Sequence, residues 1–211
     1  MDGYLFCGLS EQLETLEVRR SNLTRWWVAP DGWPDRAPRD VVRRCVVDAI
    51  AMWAEHAPLQ GVEASSEAEA DLVVRPAAID GGMGVLADCM LPGPRVQVLR
   101  CDNAEMWTVQ LGPSVSSSLI DLDRVLRHEI GHFWGIGHDR KGAQSLMAPT
   151  YSRSIWSAQE WDVSQIQSLY GKRETPPPSP ASPPTTDDDP YYTVLFNRAG
   201  SEICRFKRMP S

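Results

Sequence analysis

Apolar residues change their spacing along the chain, and each change predicts an element. Leu23, Thr24, Arg25, Trp26, Trp27 and Val28 are dense in β-formers and run into Pro30, which predicts a strand closed by a turn. After Pro38 and Asp40 the spacing becomes helical: Val41, Val42, Cys45, Val46, Ala49, Ile50 and Trp53 fall on one face, which needs a sheet to cover. Asp71 to Arg75 and Arg95 to Leu99 read as buried strands. Between them lie the glycine-rich stretch Asp80 to Gly84 and a shorter run, Val85 to Met90. A second amphipathic helix is predicted from Leu119 to Trp134, stopped by Gly135 and Gly137, and a third from about Ser157 to Tyr170, stopped by Gly171. Strands and helices in this order predict one α/β domain.

Residues 1–22 are mixed and charged, and suit either a short helix or a leader lying across the domain. Beyond Gly171 the composition turns abruptly to proline, serine, threonine and aspartate, so 172–190 is expected to be an extended linker that builds no core. Residues 191–211 can form a hairpin around Asn197 to Gly200, marginal by itself in water. With 211 residues in all, one full-sized core over 23–171 plus these appendages is the natural organisation. A net charge of -7 with scattered Lys and Arg leaves no electrostatic footprint for nucleic acid or an anionic membrane, so a protein or peptide partner is expected. No apolar run approaches the roughly 20 residues of a bilayer span. The first residues carry no recognisable secretion signal, which leaves export by another route, retention inside the cell, or a start further upstream. Five cysteines leave at least one thiol unpaired in a monomer, the expected state.

The strongest chemical signal is His128-Glu129-Ile130-Gly131-His132-Phe133-Trp134-Gly135-Ile136-Gly137-His138. Histidines four apart on a helix project from one face, so His128 and His132 can reach the same ion. Gly135 lets the chain leave the helix sharply and bring His138 round as a third nitrogen ligand. Three imidazoles suit a tetrahedral zinc ion (Zn2+) with one open position, where a water becomes acidic enough for Glu129 to take its proton. The same Glu129 can then protonate a leaving amine. With Gly135 and His138 added to the two-histidine core, a chance match is on the order of one in a million per position, if each fixed residue costs about twentyfold. Incidental histidines on a solvated helix are a poor explanation.

This segment, followed by Ser145-Leu146-Met147-Ala148-Pro149-Thr150-Tyr151, resembles the zinc motif and Met-turn of the metzincins, and most of all the matrixins. The resemblance runs from about Leu23 to Gly171. It implies a twisted, mainly parallel sheet with a backing helix, a zinc helix, the Met-turn and a C-terminal helix. It also implies a zinc-dependent metalloendopeptidase in which a zinc-bound water is activated by Glu129. Met147 would lie beneath the ligands, Asp162 would stand behind the site, and Pro149 to Tyr151 would wall the pocket for the residue after the cut bond. The strand carrying Leu86 and Ala87 would border the cleft and bind an extended substrate by strand addition. Arg124, one turn before His128, would line that pocket and shorten it, favouring medium aliphatic side chains over large aromatics, unless its stem carries the charge out to solvent. Asp80, Gly81, Met83, Val85, Asp102 and Glu105 match a structural calcium (Ca2+) loop, and a hard cation does want several such oxygens. The family also implies an extracellular setting.

Two departures stand out. Positions matching two histidines of the usual second, structural zinc are Asp88 and Arg100, so one zinc per chain is expected. Cys89 and Cys101, each one residue further on, are either two buried thiols or a disulfide in its place. Of the latency motif Arg-Cys-Gly-x-Pro-Asp only Cys7-Gly8 is matched, which makes Cys7 a weak candidate for a zinc-blocking thiolate. Asp139 after the third histidine admits an adamalysin-like metzincin, and loss of catalysis would leave a zinc-holding binding module. Retention of Glu129 argues against the latter.

Overall fold

The computed structural model describes residues 6–8, 21–91, 96–109, 118–140 and 144–174, and the backbone of two further strands, 192–196 and 202–207. In chain order the elements are β1 (Phe6–Cys7), β2 (Leu23–Val28), α1 (Arg39–Ala54), β3 (Gln60–Glu63), β4 (Leu72–Ala77), β5 (Val85–Cys89), β6 (Gln97–Asp102), β7 (Trp107–Thr108), β8 (Ile120–Asp121), α2 (Leu122–Phe133), α3 (Glu160–Tyr170), β9 (Tyr192–Phe196) and β10 (Glu202–Lys207). The first six strands form one sheet in the order β1-β5-β6-β4-β2-β3. All its pairings are parallel except β5 with β6. This is the mainly parallel α/β sheet that the sequence implies.

Alternation along β2 sends Thr24, Trp26 and Val28 inward and leaves Leu23 and Arg25 exposed. Trp26 and Val28 share one core with the apolar face of α1, whose Val42, Cys45, Val46, Ala49, Ile50 and Trp53 are buried as predicted, while Val41 at its start is only partly buried against that core. Each large side chain buried there contributes about 1.5–3 kcal/mol. Trp53 also donates from its indole nitrogen to the Arg127 carbonyl, 2.9 Å away, which ties α1 to α2.

Two helix starts differ from the sequence expectation, and local capping explains both. Ile120 and Asp121 pair with β7, and the Asp121 side chain accepts from the Asp123 N–H at 3.1 Å, so α2 begins at Leu122 rather than Leu119. At α3, Gln159 and Asp162 form a reciprocal capping box, which starts the helix at Glu160 rather than Ser157. The strands expected at Asp71–Arg75 and Arg95–Leu99 lie slightly later, as β4 and β6. Neither β1 nor β3 is anticipated by periodicity, since one has two residues and the other is mostly exposed.

On the β5–β6 ladder, Asp88 faces Arg100, and the guanidinium grips the carboxylate through Nε (2.9 Å) and Nη2 (2.5 Å). A bidentate ion pair therefore joins the two positions that would otherwise match structural-zinc histidines. Cys89 faces Leu99 and Cys101 faces Ala87, so the two cysteines are diagonal neighbours, a relation that separates backbones by about 7–8 Å. That is too far for an unstrained disulfide, and both are buried thiols.

Residues 1–176 form one compact unit and 177–211 another. Within the second, β9 and β10 pair antiparallel, as the predicted hairpin requires. Its turn residues 197–200 and the linker beyond residue 174 lie outside the described residues. No helix among the described residues is long and apolar enough to cross a membrane.

Candidate metal centre

The helix α2 places His128 and His132 on one buried face, and the chain leaves it through Gly135, whose φ of 100° is the left-handed conformation glycine tolerates. The exit carries His138 back beside them. His128 Nδ1 lies 2.7 Å from the Leu146 carbonyl and His132 Nδ1 2.7 Å from the Ile136 carbonyl, so in each ring Nδ1 is the donor and Nε2 carries the lone pair. His132 Nε2 is 3.1 Å from His138 Nε2, and His128 Nε2 is buried without a hydrogen-bond partner. Burial, reinforced by the charge of His138 and opposed by the Leu146 carbonyl, pushes His128 down to about 3. Burial likewise holds His132 well below its ordinary value. Both rings are therefore neutral at physiological pH, the form in which imidazole ligates a metal. The orphaned Nε2 and the neutral donor set fit a zinc ion.

A fourth donor comes from the other end of the chain. Cys7 Sγ lies 3.4 Å from His132 Nε2, and the ligand atoms of Cys7, His128, His132 and His138 all lie within 4.8 Å of one another. The sequence offered only Cys7-Gly8 as a hint, and the sheet supplies the rest. β1 pairs with β5, the Gly8 N–H donates to the Ala87 carbonyl at 2.8 Å, and the Cys7 N–H donates to the Pro149 carbonyl at 3.1 Å. Residues 6–8 thus lie along the strand bearing Leu86 and Ala87, and the open edge expected there is covered. Glu129 is buried beside the histidines. Burial pushes its carboxyl up to about 8, a hydrogen bond with the Cys7 side chain and the Cys89 N–H pull the other way, and the charge of Asp88 adds to the rise.

Behind the histidines, the buried Asp162 carboxylate accepts from Ser145 Oγ (2.6 Å) and from the N–H groups of Leu146 (2.8 Å), Met147 (3.1 Å) and Gln159 (2.7 Å). Since the Leu146 carbonyl faces His128 Nδ1, this one carboxylate orients a ligand through the turn it organises. Met147 packs against Gly131, between the first two histidines: a Cβ there would meet its Sδ at 2.5 Å.

Beside the centre, a pocket is walled by Leu86, Val125, His128, Glu129, Pro149 and Tyr151, with Arg124 and Ile155 also lining it. Of the residues named from the sequence for substrate contact, Leu86, Arg124, Pro149 and Tyr151 line this pocket and Ala87 does not. Arg124 is only 3% exposed, so of its two alternatives the buried one holds. The Tyr151 hydroxyl accepts from the Asp121 N–H at 3.1 Å, fixing the wall to the start of α2.

A family model for matrixins matches residues 19–171. This chain belongs to the matrixin family. It is 28% identical to matrix metalloproteinase-C of Caenorhabditis elegans over 186 residues, covering 78% of this chain and 32% of the relative. Against metalloendoproteinase 5-MMP of Arabidopsis thaliana it is 29% identical over 195 residues, 79% of this chain and 53% of the relative. Against stromelysin-1 of Mus musculus it is 34% identical over 147 residues, 64% of this chain and 29% of the relative. The chain thus spans between about a third and half of these relatives' lengths.

In this matrixin the carboxylates proposed for calcium gather at one loop, already held by backbone donors. Asp102 accepts from Asp80 N (2.9 Å) and Gly81 N (3.0 Å), Glu105 from Met83 N (2.7 Å) and Gly84 N (3.3 Å), and Asp80 from Val85 N (3.1 Å). Burial and then the charges of Asp102 and Asp80 raise the Glu105 carboxyl, against two backbone N–H groups that lower it. Like charges gathered around a glycine-rich loop suit a hard cation. Among the described residues, however, the ligand atoms that cluster most closely are those of the histidine and cysteine centre alone. Sequence reasoning missed two contributors. Ser145 binds Asp162, and Arg173 donates to the Ala57 and Leu59 carbonyls past the end of α1. A lone serine or arginine in a sequence carries no signal of such contacts.

Proposed function

We propose that this matrixin is a zinc-dependent metalloendopeptidase that hydrolyses protein or peptide substrates bound extended in the cleft. The observation that carries the reading is the convergence of three imidazoles, those of His128 and His132 neutral, with one buried carboxylate, Glu129. His128, His132 and His138 hold the ion. When bound, zinc supplies Lewis acidity that polarises a substrate carbonyl and acidifies a water. Glu129 takes the proton of the attacking water and passes it to the leaving amine, which is why a carboxyl held near neutrality suits the role. Pro149 to Tyr151 wall the pocket that receives the side chain after the cut bond, and Leu86 and Ala87 offer the strand for an extended backbone. Asp80, Asp102 and Glu105, with the backbone at Gly81, Met83 and Val85, hold a structural calcium ion.

With residues 6–8 in place, the chain is a latent form of that enzyme. Residues 6–8 lie where a substrate backbone would pair, and Cys7 would serve as the fourth donor to a zinc held by the three histidines, leaving a water no place there until the segment leaves. An extracellular site of action is part of the proposal and rests on the family alone.

Glu129→Ala tests the catalytic reading. Introduced into the unblocked Cys7→Ser protein, the substitution leaves one zinc bound and lowers peptide cleavage at least about a hundredfold, because proton transfer contributes roughly that much or more. Near wild-type turnover in a zinc-loaded variant refutes it.

A further inference from the structure

The proposed general base is held from a strand as well as from its own helix. The Glu129 carboxylate is hydrogen-bonded by the Cys7 side chain and by the Cys89 N–H, and only the second contact remains once residues 6–8 leave. The Gly8 N–H reaches the Ala87 carbonyl, so that carbonyl points away from β6 toward the edge of the sheet. Backbone groups two residues apart on a strand turn to the same side, so the Cys89 N–H also points to that edge and is not spent on the β5–β6 ladder. That ladder is short: Ala87 faces Cys101, Asp88 faces Arg100 and Cys89 faces Leu99. Cys89 and Cys101 are buried in the core on the side of Glu129, while Asp88 and Arg100 alternate to the opposite face. There the guanidinium grips the carboxylate through two hydrogen bonds. It is the one facing side-chain pair on that face of the ladder, and it adjoins the residue whose N–H holds Glu129.

We infer that Asp88 and Arg100 are positioning residues for Glu129: their ion pair seats β5 on β6 and so places the Cys89 N–H against the carboxylate that takes the proton of the attacking water. The inference rests on the peptidase reading above and deepens it. A pair half exposed at Arg100 adds little to global stability, whereas reaction geometry is far less forgiving, since a misplacement of about 1 Å can cost about a hundredfold. Place and charge can be separated. Removing Asp88 takes an anion away from Glu129 and removing Arg100 unmasks it, so an effect of charge runs in opposite directions in the two variants. A displaced strand acts in the same direction in both.

The test uses the full chain carrying Cys7→Ser, loaded with zinc, and a fluorogenic peptide selected from a library. Asp88→Ala and Arg100→Ala each lower kcat at least about fivefold, with KM and zinc content held within about twofold. The charge-free facing pair Asp88→Thr/Arg100→Thr recovers most of the loss, because facing β-branched side chains hold neighbouring strands without charge. Opposite changes in kcat for the two single variants, a loss confined to KM, or no recovery in the threonine pair overturns the inference. A second readout needs no turnover: amide hydrogen exchange at Cys89, followed by NMR in the same background. Exchange quickens at least about tenfold in Glu129→Ala and in Arg100→Ala, and no further when the two are combined, because both release the same N–H. That result supports the placement even if no peptide is cleaved, in which case only the peptidase reading falls. Exchange at Cys89 that Arg100→Ala leaves unchanged, or that adds up in the combined variant, refutes the placement even in an active enzyme.

Discussion

Gly131 lies between two metal-facing histidines, and the volume a side chain would need there is already filled. A Cβ would stand 2.5 Å from Met147 Sδ and 2.9 Å from Trp53 Cζ2, closer than van der Waals contact allows on two sides. Gly131→Ala is therefore expected to destabilise the fold by about 1–3 kcal/mol despite the better helix propensity of alanine. It also shifts His128 and His132 apart, so denaturant midpoint and zinc affinity fall together. Unchanged values of both would show that Met147 yields freely. Cys7 is the other residue on which much turns. Serine is a far weaker zinc ligand than a thiolate, so Cys7→Ser raises peptidase activity of the intact chain by at least about tenfold, the release of about 1.4 kcal/mol of blocking interaction. Equal activity of the two proteins would show that residues 6–8 do not govern access.

At the scale of elements, the centre depends on how α2, the turn at Ser145 to Met147 and α3 are joined. Asp162 does this from the first turn of α3, accepting from four donors across the turn and the helix start. Asp162→Ala orphans buried N–H groups and the Ser145 hydroxyl together, and a loss of about 3 kcal/mol or more is expected. Because the Leu146 carbonyl then no longer holds His128 in register, zinc affinity drops as well. Chemical denaturation and zinc titration of the same variant check both expectations, and a purely thermal effect with full zinc affinity would separate α3 from the site. The β5–β6 ladder shows a different kind of join, since the Asp88–Arg100 pair links neighbouring strands where the family pattern would place metal ligands. Arg100 remains half exposed, so this pair adds modestly to stability.

For the whole molecule, metal content follows from which donors the fold brings together. One zinc per chain is expected after dialysis, held at the histidine centre, because Asp88 and Arg100 satisfy each other. A selective calcium chelator is expected to lower the melting temperature without removing zinc, since a cation at 100 times its Kd stabilises by about 2.7 kcal/mol. Two zincs per chain, or a melting curve indifferent to chelation, would contradict these expectations.

Local sequence determined a good deal of this protein by itself. The apolar face of α1, the two histidines one helical turn apart, the glycine exit to His138, and the methionine turn are all written within short stretches, because helical periodicity and glycine conformations act over a few residues. β4 and β6 were legible as two apolar runs, though their ends and their pairing were not. Only the tertiary structure decided what depends on sheet register and chain return. Cys7 reaches His132 across 125 residues because β1 joins the edge of β5. Asp88 meets Arg100 because β5 runs against β6, while the same register holds Cys89 and Cys101 apart as thiols. Arg124 has the spacing of any helical surface residue, and its burial follows from Tyr151, Ile155 and Trp156 closing over it. Such contacts are set by the balance of packing over the whole core, which no local window of sequence contains.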